Sequence, residues 1–448
     1  MSRQSNGASL RPRWPLGLLL HFAVLAGGGP VAAQGQTSAS PRASVPIQTQ
    51  ANASAAAPIN TLKQAFDAAW ARQPEQHAAA GRREAASAAN EAAASWTVEP
   101  PSLGLLTKTD KLTGNRGARE YEVGVVVPLW LPGERERSQA LAQAEERAVG
   151  STLDAVRWRL AGVVREAWWL VLRGEADLQL ARARLRSAAL LAEDVARRHQ
   201  AGDLSRADRH QAEAAVAAAE VELAEAAGAR AQAAQALRAL TGQAVAEALG
   251  EPAEALPAAA GLAPQASTLA DATHPALRDL AQRAELARRM RELASVQTRA
   301  NPELELSAMR ARDAFGEAWG QTLNVGVVIP FGSDPRQRAK LASAGAAQTE
   351  AEVQLALERD QVHAEIAAAH LRIETAQATV DATGRGARLA AELRGFYEKS
   401  FRLGETDLPA RLRVELEAVE AERRYARARI DLAQAHSMLR HAQGMVPQ

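Results

Sequence analysis

Val123-Gly-Val-Val-Val-Pro128 returns, almost unchanged, as Val325-Gly-Val-Val-Ile-Pro330, an offset of 325 − 123 = 202 residues. Three further landmarks keep that spacing. Pro74 matches Pro275 and Pro101 matches Pro302 at 201, and Gly202 matches Gly404 at 202. The same order over more than half the chain marks an internal duplication. Within the repeated stretch the period is two, the signature of a strand. Tyr121, Val123, Val125 and Val127 fall on one face, and Glu120, Glu122, Gly124 and Val126 on the other. In the second copy Leu304, Leu306 and Ala308 oppose Glu303, Glu305 and Ser307, while Leu323, Val325, Val327 and Ile329 oppose Thr322, Asn324, Gly326 and Val328. Each copy therefore predicts a hairpin, at about 101–129 and about 302–330, of strands about 10 residues long, the length of a transmembrane β-strand.

Away from the hairpins the pattern is helical. After Leu131-Pro132-Gly133 no proline occurs until well past residue 200, and Gly202 is the first break in a run that starts at Glu134. At 1.5 Å per residue this is a helix of about 100 Å. Ser205 recaps the chain, and a second helix ends before Thr241-Gly242. The second copy repeats the plan, with a helix from Pro335, a break at Gly404, a cap at Asp407 and a last helix from Leu408 to Gln443. The apolar positions are mainly Ala, Val and Leu, which suits close side-by-side packing. The helical hairpins are expected at about 134–240 and 335–443.

The composition excludes several classes. Net charge is +1 and aromatics are 4%, so charge alone points to no nucleic acid. There is no cysteine, which rules out disulfides, thiolate zinc sites and an N-terminal lipidated cysteine. No nucleophile motif, phosphate-binding glycine loop or HExxH motif occurs, so no enzyme activity, cofactor or metal site is assigned. His363 and His370 are seven apart, too far along a helix to share one ion, and His199 and His210 flank the turn at Gly202. Arg11 and Arg13 precede an apolar run, Trp14 to Leu25, too short to span a bilayer. Residues 1–33 read as a secretory signal peptide, 34–59 as a flexible leader, 60–242 as the first repeat, 243–273 as a connecting segment and 274–444 as the second repeat.

Two hairpins supply four strands, too few to close a barrel, and open edges are forbidden in lipid. If the strands span, several chains share one barrel, and the helices project to one side as a tube. The order of motifs then resembles the TolC family of outer membrane efflux proteins. It is carried by Pro101-Ser-Leu103, Val123 to Pro128, Gly133, Ala201-Gly-Asp-Leu-Ser205 with Asp208, and Leu237 to Gly242. In the second half it is carried by Pro302-Glu-Leu304, Val325 to Pro330 and Gly404. The likeness covers about residues 60–444, and the turn Pro128-Leu-Trp-Leu-Pro-Gly-Glu-Arg135 resembles heavy-metal efflux members more than drug-efflux members.

The resemblance implies a mainly α protein with membrane β-structure. Long antiparallel α-helical hairpins form a coiled-coil-like periplasmic tunnel, and a homotrimer shares a 12-stranded β-barrel in the cell outer membrane. It implies a passive exit duct, with heavy-metal cations, small organic toxins or a secreted protein as the open choices of cargo, fed by a periplasmic adaptor (membrane fusion) protein and a proton-driven inner-membrane transporter. By match, Gly202, Asp203, Leu204, Ser205, Gly404, Glu405, Thr406 and Asp407 form the adaptor-contact tip. Ala410, Arg411 and Arg413 stand where some members carry an acidic gate. In the barrel Glu120, Glu122, Glu303 and Glu305 would face the lumen, and Tyr121, Val123, Val125, Val127, Leu304, Leu306, Leu323, Val325, Val327 and Ile329 would face outer membrane lipid. The competing reading is an exported soluble coiled-coil scaffold or periplasmic adaptor without a barrel. The duplicated amphipathic hairpins argue against it.

Overall fold

The computed structural model describes residues 58–112, 114–246, 272–332 and 335–448, all within one unit, Ala55–Gln448. The expected signal peptide, nearly all of the leader and most of the connecting segment lie outside the described residues. The elements run α1 (Leu62–Trp70), α2 (Pro74–Ala93), β1 (Ser102–Thr109), β2 (Arg119–Pro128), α3 (Glu134–Ala201) and α4 (Arg206–Thr241). They continue with α5 (Pro275–Val296), β3 (Glu303–Arg312), β4 (Gly320–Val328), α6 (Pro335–Arg402) and α7 (Leu408–Ala442).

Helix ends follow their capping chemistry. Thr61 caps α1 by accepting from the Gln64 amide, and the Gln64 side chain accepts from Asn60 N–H in return. Ser205 and Asp208 form the same reciprocal box at α4. Gly202 and Gly404 take φ of 88° and 80° after the two longest helices, a left-handed turn that costs any residue with a Cβ.

The spine is α3, which packs against α1, α2, α4, α5 and α7. Both α3 and α6 have 68 residues, about 100 Å each by helical rise. Shorter helices share that length. Beside the strand-proximal third of α3 run α2, through Asn90 to Glu146 at 3.2 Å, and α5, through Thr152 to Asp279 at 2.7 Å. Beside the rest run α4, with Arg230 and Arg184 meeting Glu175 and Glu222, and α7, with Arg427 on Asp177 at 3.0 Å.

Where the short helices meet, the chain builds its densest core. Phe66, Leu160, Val164, Trp168, Val171 and Leu237 are buried together. Ile59, assigned to the leader from sequence, is in fact 1% exposed within this core. It pairs with Val245 through Ile59 N to Ala244 O at 2.9 Å, because an apolar residue next to the α1 cap gains more from burial than from hydration. Arg165, fully buried on α3, donates to Ser437 Oγ at 3.2 Å and Met445 O at 2.9 Å. Trp158 stacks on His441 at 4.7 Å and meets His274 edge-on at 4.7 Å. Gly162 makes room for this, since a Cβ there would lie 2.6 Å from His441 Nε2.

A second joint ties the strands to the helices. Glu134, 1% exposed at the start of α3, accepts from Leu131 N at 3.0 Å, Gln297 Nε2 at 2.7 Å and Asn301 Nδ2 at 2.6 Å. Gln297 in turn accepts from Lys340 Nζ at 2.5 Å. One carboxyl group thereby links β2, α3, the approach to β3 and α6. Trp130 Nε1 donates to Ser95 O at 3.3 Å and Arg135 to Ala94 O at 2.6 Å, tying down the approach to β1 as well.

Two outcomes follow from these joints. Glu134→Ala leaves three donors short of an acceptor in a buried site, and is expected to cost about 3 kcal/mol in denaturant unfolding. Glu134→Gln, which keeps a carbonyl acceptor, should cost less; equal losses would mean that the hydrogen bonds are not what holds the joint. For the histidines, burial pushes His274 and His441 down from 6.5 to about 4, with Arg165 adding to the effect on His441 and Glu365 opposing it on His274. The unfolded chain therefore binds more protons between these values, so stability is complete above about pH 6.5 and falls as pH drops towards 4. The melting temperature should fall over that window, and less so for the double variant His274→Gln, His441→Gln. An unchanged slope in that variant would show that other groups carry the acid sensitivity.

Candidate conduit wall and hairpin tips

The strands form one antiparallel sheet in the order β1-β2-β3-β4. The hairpin of the first half is thus joined edge to edge to that of the second. Antiparallel partners share a face, so the register decides what each face carries. Leu103, Val125, Leu306 and Val325 form one row, flanked by Leu105-Val123-Ala308-Leu323 and by Val127-Leu304-Val327. Tyr121 lies on the same face, beside Arg310. Ile329 falls one residue beyond β4, where Pro330 ends the pairing. The opposite face carries Glu120, Glu122, Glu303 and Glu305 with Ser307 and Asn324. Lys108 holds Glu120 at 2.8 Å, so one of the four carboxyl groups has its own counter-charge.

Among the described residues neither face is covered. Helices pack on helices and strands on strands, and no helix lies in substantial contact with the sheet. Leu103 and Leu323 are 67% and 75% exposed. The outer edges of β1 and β4 have no partner among the described residues. At one end the strands lead into the helices. The loops at the other end carry Trp319, Phe315 and the ion pair of Arg119 with Asp110 at 2.6 Å. Trp130, two residues beyond β2, is half-buried against Ser95, because its indole N–H finds a carbonyl there.

At the far end of the helices the two turns lie side by side. Gly202, Asp203, Ser205, Gly404, Glu405 and Asp407 are exposed. Leu204 is half-buried against Leu191, Val195, Phe401 and Leu408, and Thr406 is half-buried with its hydroxyl 2.6 Å from that of Ser400. These two are therefore braces of the turns, since an apolar side chain and a short hydroxyl both find intramolecular partners there. The braces extend across the hairpins. Arg198 donates to Phe401 O at 2.9 Å and stacks 4.9 Å from the Phe401 ring, with Arg411 5.3 Å from the same ring. His199 and His210 do not form a pair; His199 donates to Leu204 O at 3.0 Å and His210 faces Glu213.

Sequence reasoning missed Leu403, a leucine 74% exposed beside Gly404. The signal was present, because a leucine next to a left-handed glycine at a hairpin end has little to pack on. It also missed Glu134, since an acidic first-turn residue is common at helix starts and its burial depends on segment 297–301. Among the described residues no group of three or more His, Cys, Asp or Glu side chains could hold a metal ion. No described helix is long and apolar enough to cross a membrane.

Residues 65–243 match the outer membrane efflux protein family. The cobalt-zinc-cadmium resistance protein CzcC of Cupriavidus metallidurans is 33% identical over 221 residues, 49% of this chain and 51% of that protein. The chain thus matches about half the length of this curated relative. Among solved structures, CusC superposes with a TM-score of 0.71 at 18% identity, covering 86% of this chain and 92% of that one. The open state of the MtrE outer membrane channel of Neisseria gonorrhoeae gives 0.68 at 19%, covering 86% and 89%. VceC of Vibrio cholerae gives 0.67 at 19%, covering 86% and 96%. These structures share the fold over most of both repeats, and the family match lies on the first. The first repeat is thus similar to outer membrane efflux proteins, and the chain shares the fold of solved outer membrane channels over most of its length.

Proposed function

We propose that the protein is the passive outer membrane duct of a tripartite efflux system. The observation that carries this reading is the uncovered sheet. It has one continuous apolar face, one acidic face and two unpaired edges, and it leads at one end into helices of about 100 Å. Lipid suits the apolar face and water the acidic one, while the edges require neighbouring chains. Eight strands enclose a space that side chains fill. Twelve strands, three copies of the four-stranded sheet, are the smallest multiple that leaves a lumen. The helices support the same assembly. Along α6 only Val362, Ala369 and Phe401 are buried, while Val353, Leu357, Leu371, Leu389 and Phe396 are exposed, as expected of a face that meets another copy.

The cargo reading is divalent metal cations. The partial likeness to a protein named for cobalt, zinc and cadmium resistance supports it, and Glu122, Glu303 and Glu305 on the lumen face would favour cations. The duct has no energy source of its own, so an inner-membrane transporter and a periplasmic adaptor complete the pathway. The exposed tip residues, Gly202, Asp203, Ser205, Gly404, Glu405 and Asp407, with Leu403, are the adaptor's contact surface.

Fractionation of producing cells is expected to recover the mature chain in the outer membrane, soluble only in detergent and with the mass of a trimer. A soluble monomer would sink the duct and favour the scaffold. At the tip, a photo-crosslinking amino acid at position 203 or 405 should capture a periplasmic protein in cells, while one at the half-buried position 204 should capture far less. Equal capture at all three positions would remove the tip from the proposal.

A further inference from the structure

The loop end of the apolar face is not apolar. Arg310 shares a row with Tyr121 and Gln321, and Arg312 pairs with Arg119 one row further out. Trp319 closes the group. Its ring lies 5.8 Å from that of Tyr121, and the guanidinium carbons of Arg310 and Arg312 lie 5.1 Å and 4.9 Å from its centroid. Phe315 lies 5.5 Å from Arg312 on the other side. The three arginines are not equivalent. Arg119 is held by Asp110 at 2.6 Å. Arg312 donates through Nε to Gly117 O at 3.1 Å. Among the described residues neither Arg310 nor Arg312 has a carboxylate partner, and the acidic residues of the adjoining loop do not supply one, as Glu317 accepts from the Asp313 amide at 3.2 Å.

Two cations without counter-charges on a lipid-directed face are out of place unless the environment brings the anion. Stacking on Trp319 and Tyr121 holds the guanidinium planes, and aromatic rings of this kind mark the membrane–water boundary. Immediately below lies the row Leu105-Val123-Ala308-Leu323, which suits acyl chains. We propose that Arg310 and Arg312, framed by Tyr121 and Trp319, bind the headgroup phosphate of a lipid of the outer leaflet, whose acyl chains lie along the sheet. Guanidinium forks match phosphate oxygens in geometry as well as charge. The proposal rests on the membrane reading above, because only a spanning sheet brings this end of the face to headgroup level.

The test uses full-length protein purified from the outer membrane in detergent, with lipid A as probe and dephosphorylated lipid A and inorganic phosphate as controls. Wild-type trimer should retain lipid A through washing, detected by native mass spectrometry. The double variant Arg310→Gln, Arg312→Gln should retain about tenfold less while still reaching the outer membrane as a trimer. The single variant Arg119→Gln should retain as much as wild type, since that cation is already paired. Equal retention by wild type and double variant, equal retention of dephosphorylated lipid A, or release of lipid A by millimolar inorganic phosphate would each overturn the site while leaving the duct intact. A wild-type chain recovered outside the membrane would overturn both.

Discussion

The constraint on which the molecule depends is that a backbone N–H or C=O group in hydrocarbon must have a partner. The sheet satisfies this across three ladders and leaves β1 and β4 open at its margins. No rearrangement within the chain can close four strands. In the proposed duct the edges bind neighbouring copies, and the outer wall, the lumen and the oligomeric state all follow from the same unpaired groups. The alternation of Val123, Val125 and Val127 with Glu122 and Gly124 would then set which side each solvent takes in that duct.

The two halves share a sequence plan but not a mechanical role. In the first, α3 carries buried side chains along most of its length and gathers five other helices. In the second, α6 buries almost nothing within the chain. The repeat thus holds one strut packed from within and one whose apolar stripe lies exposed in the single chain. The buried Arg165 and Glu134 and the half-buried Trp158 all belong to α3, so the polar groups that specify unique geometry sit where packing is tightest.

Much of this was legible in the sequence, and the reasons are local. Period-two alternation identifies Glu120–Val127 and Glu303–Ser307 as strands, and left-handed glycines with Ser205 or Asp407 after them mark the long-helix ends. The same alternation groups the strand residues into two sets, and the register keeps each set on one face of the sheet. What could not be read depends on residues far apart in the chain. The pairing of β2 with β3 brings Val123 to Ala308, and no local pattern encodes that partner. Glu134 is buried by Gln297 and Asn301, and Ile59 by residues on α3 and α4. At the tip, Leu204 lies two residues after Gly202 and turns in, while Leu403, one residue before Gly404, stays exposed. The difference lies in Phe401 and Leu408, which give Leu204 something to pack on.

The stripe on α6 has a consequence for biogenesis. A single copy exposes this stripe, the apolar face of the sheet and two strand edges at once, and in the proposed duct two agents hide them: other copies cover the stripe and the edges, and lipid covers the face. No sequence of separate steps conceals them all, so membrane entry and association are expected to be kinetically coupled. The yield of finished assemblies should then rise more steeply than in proportion to chain supply. In the proposed duct, a defective copy that still offers a sound stripe would sequester sound ones.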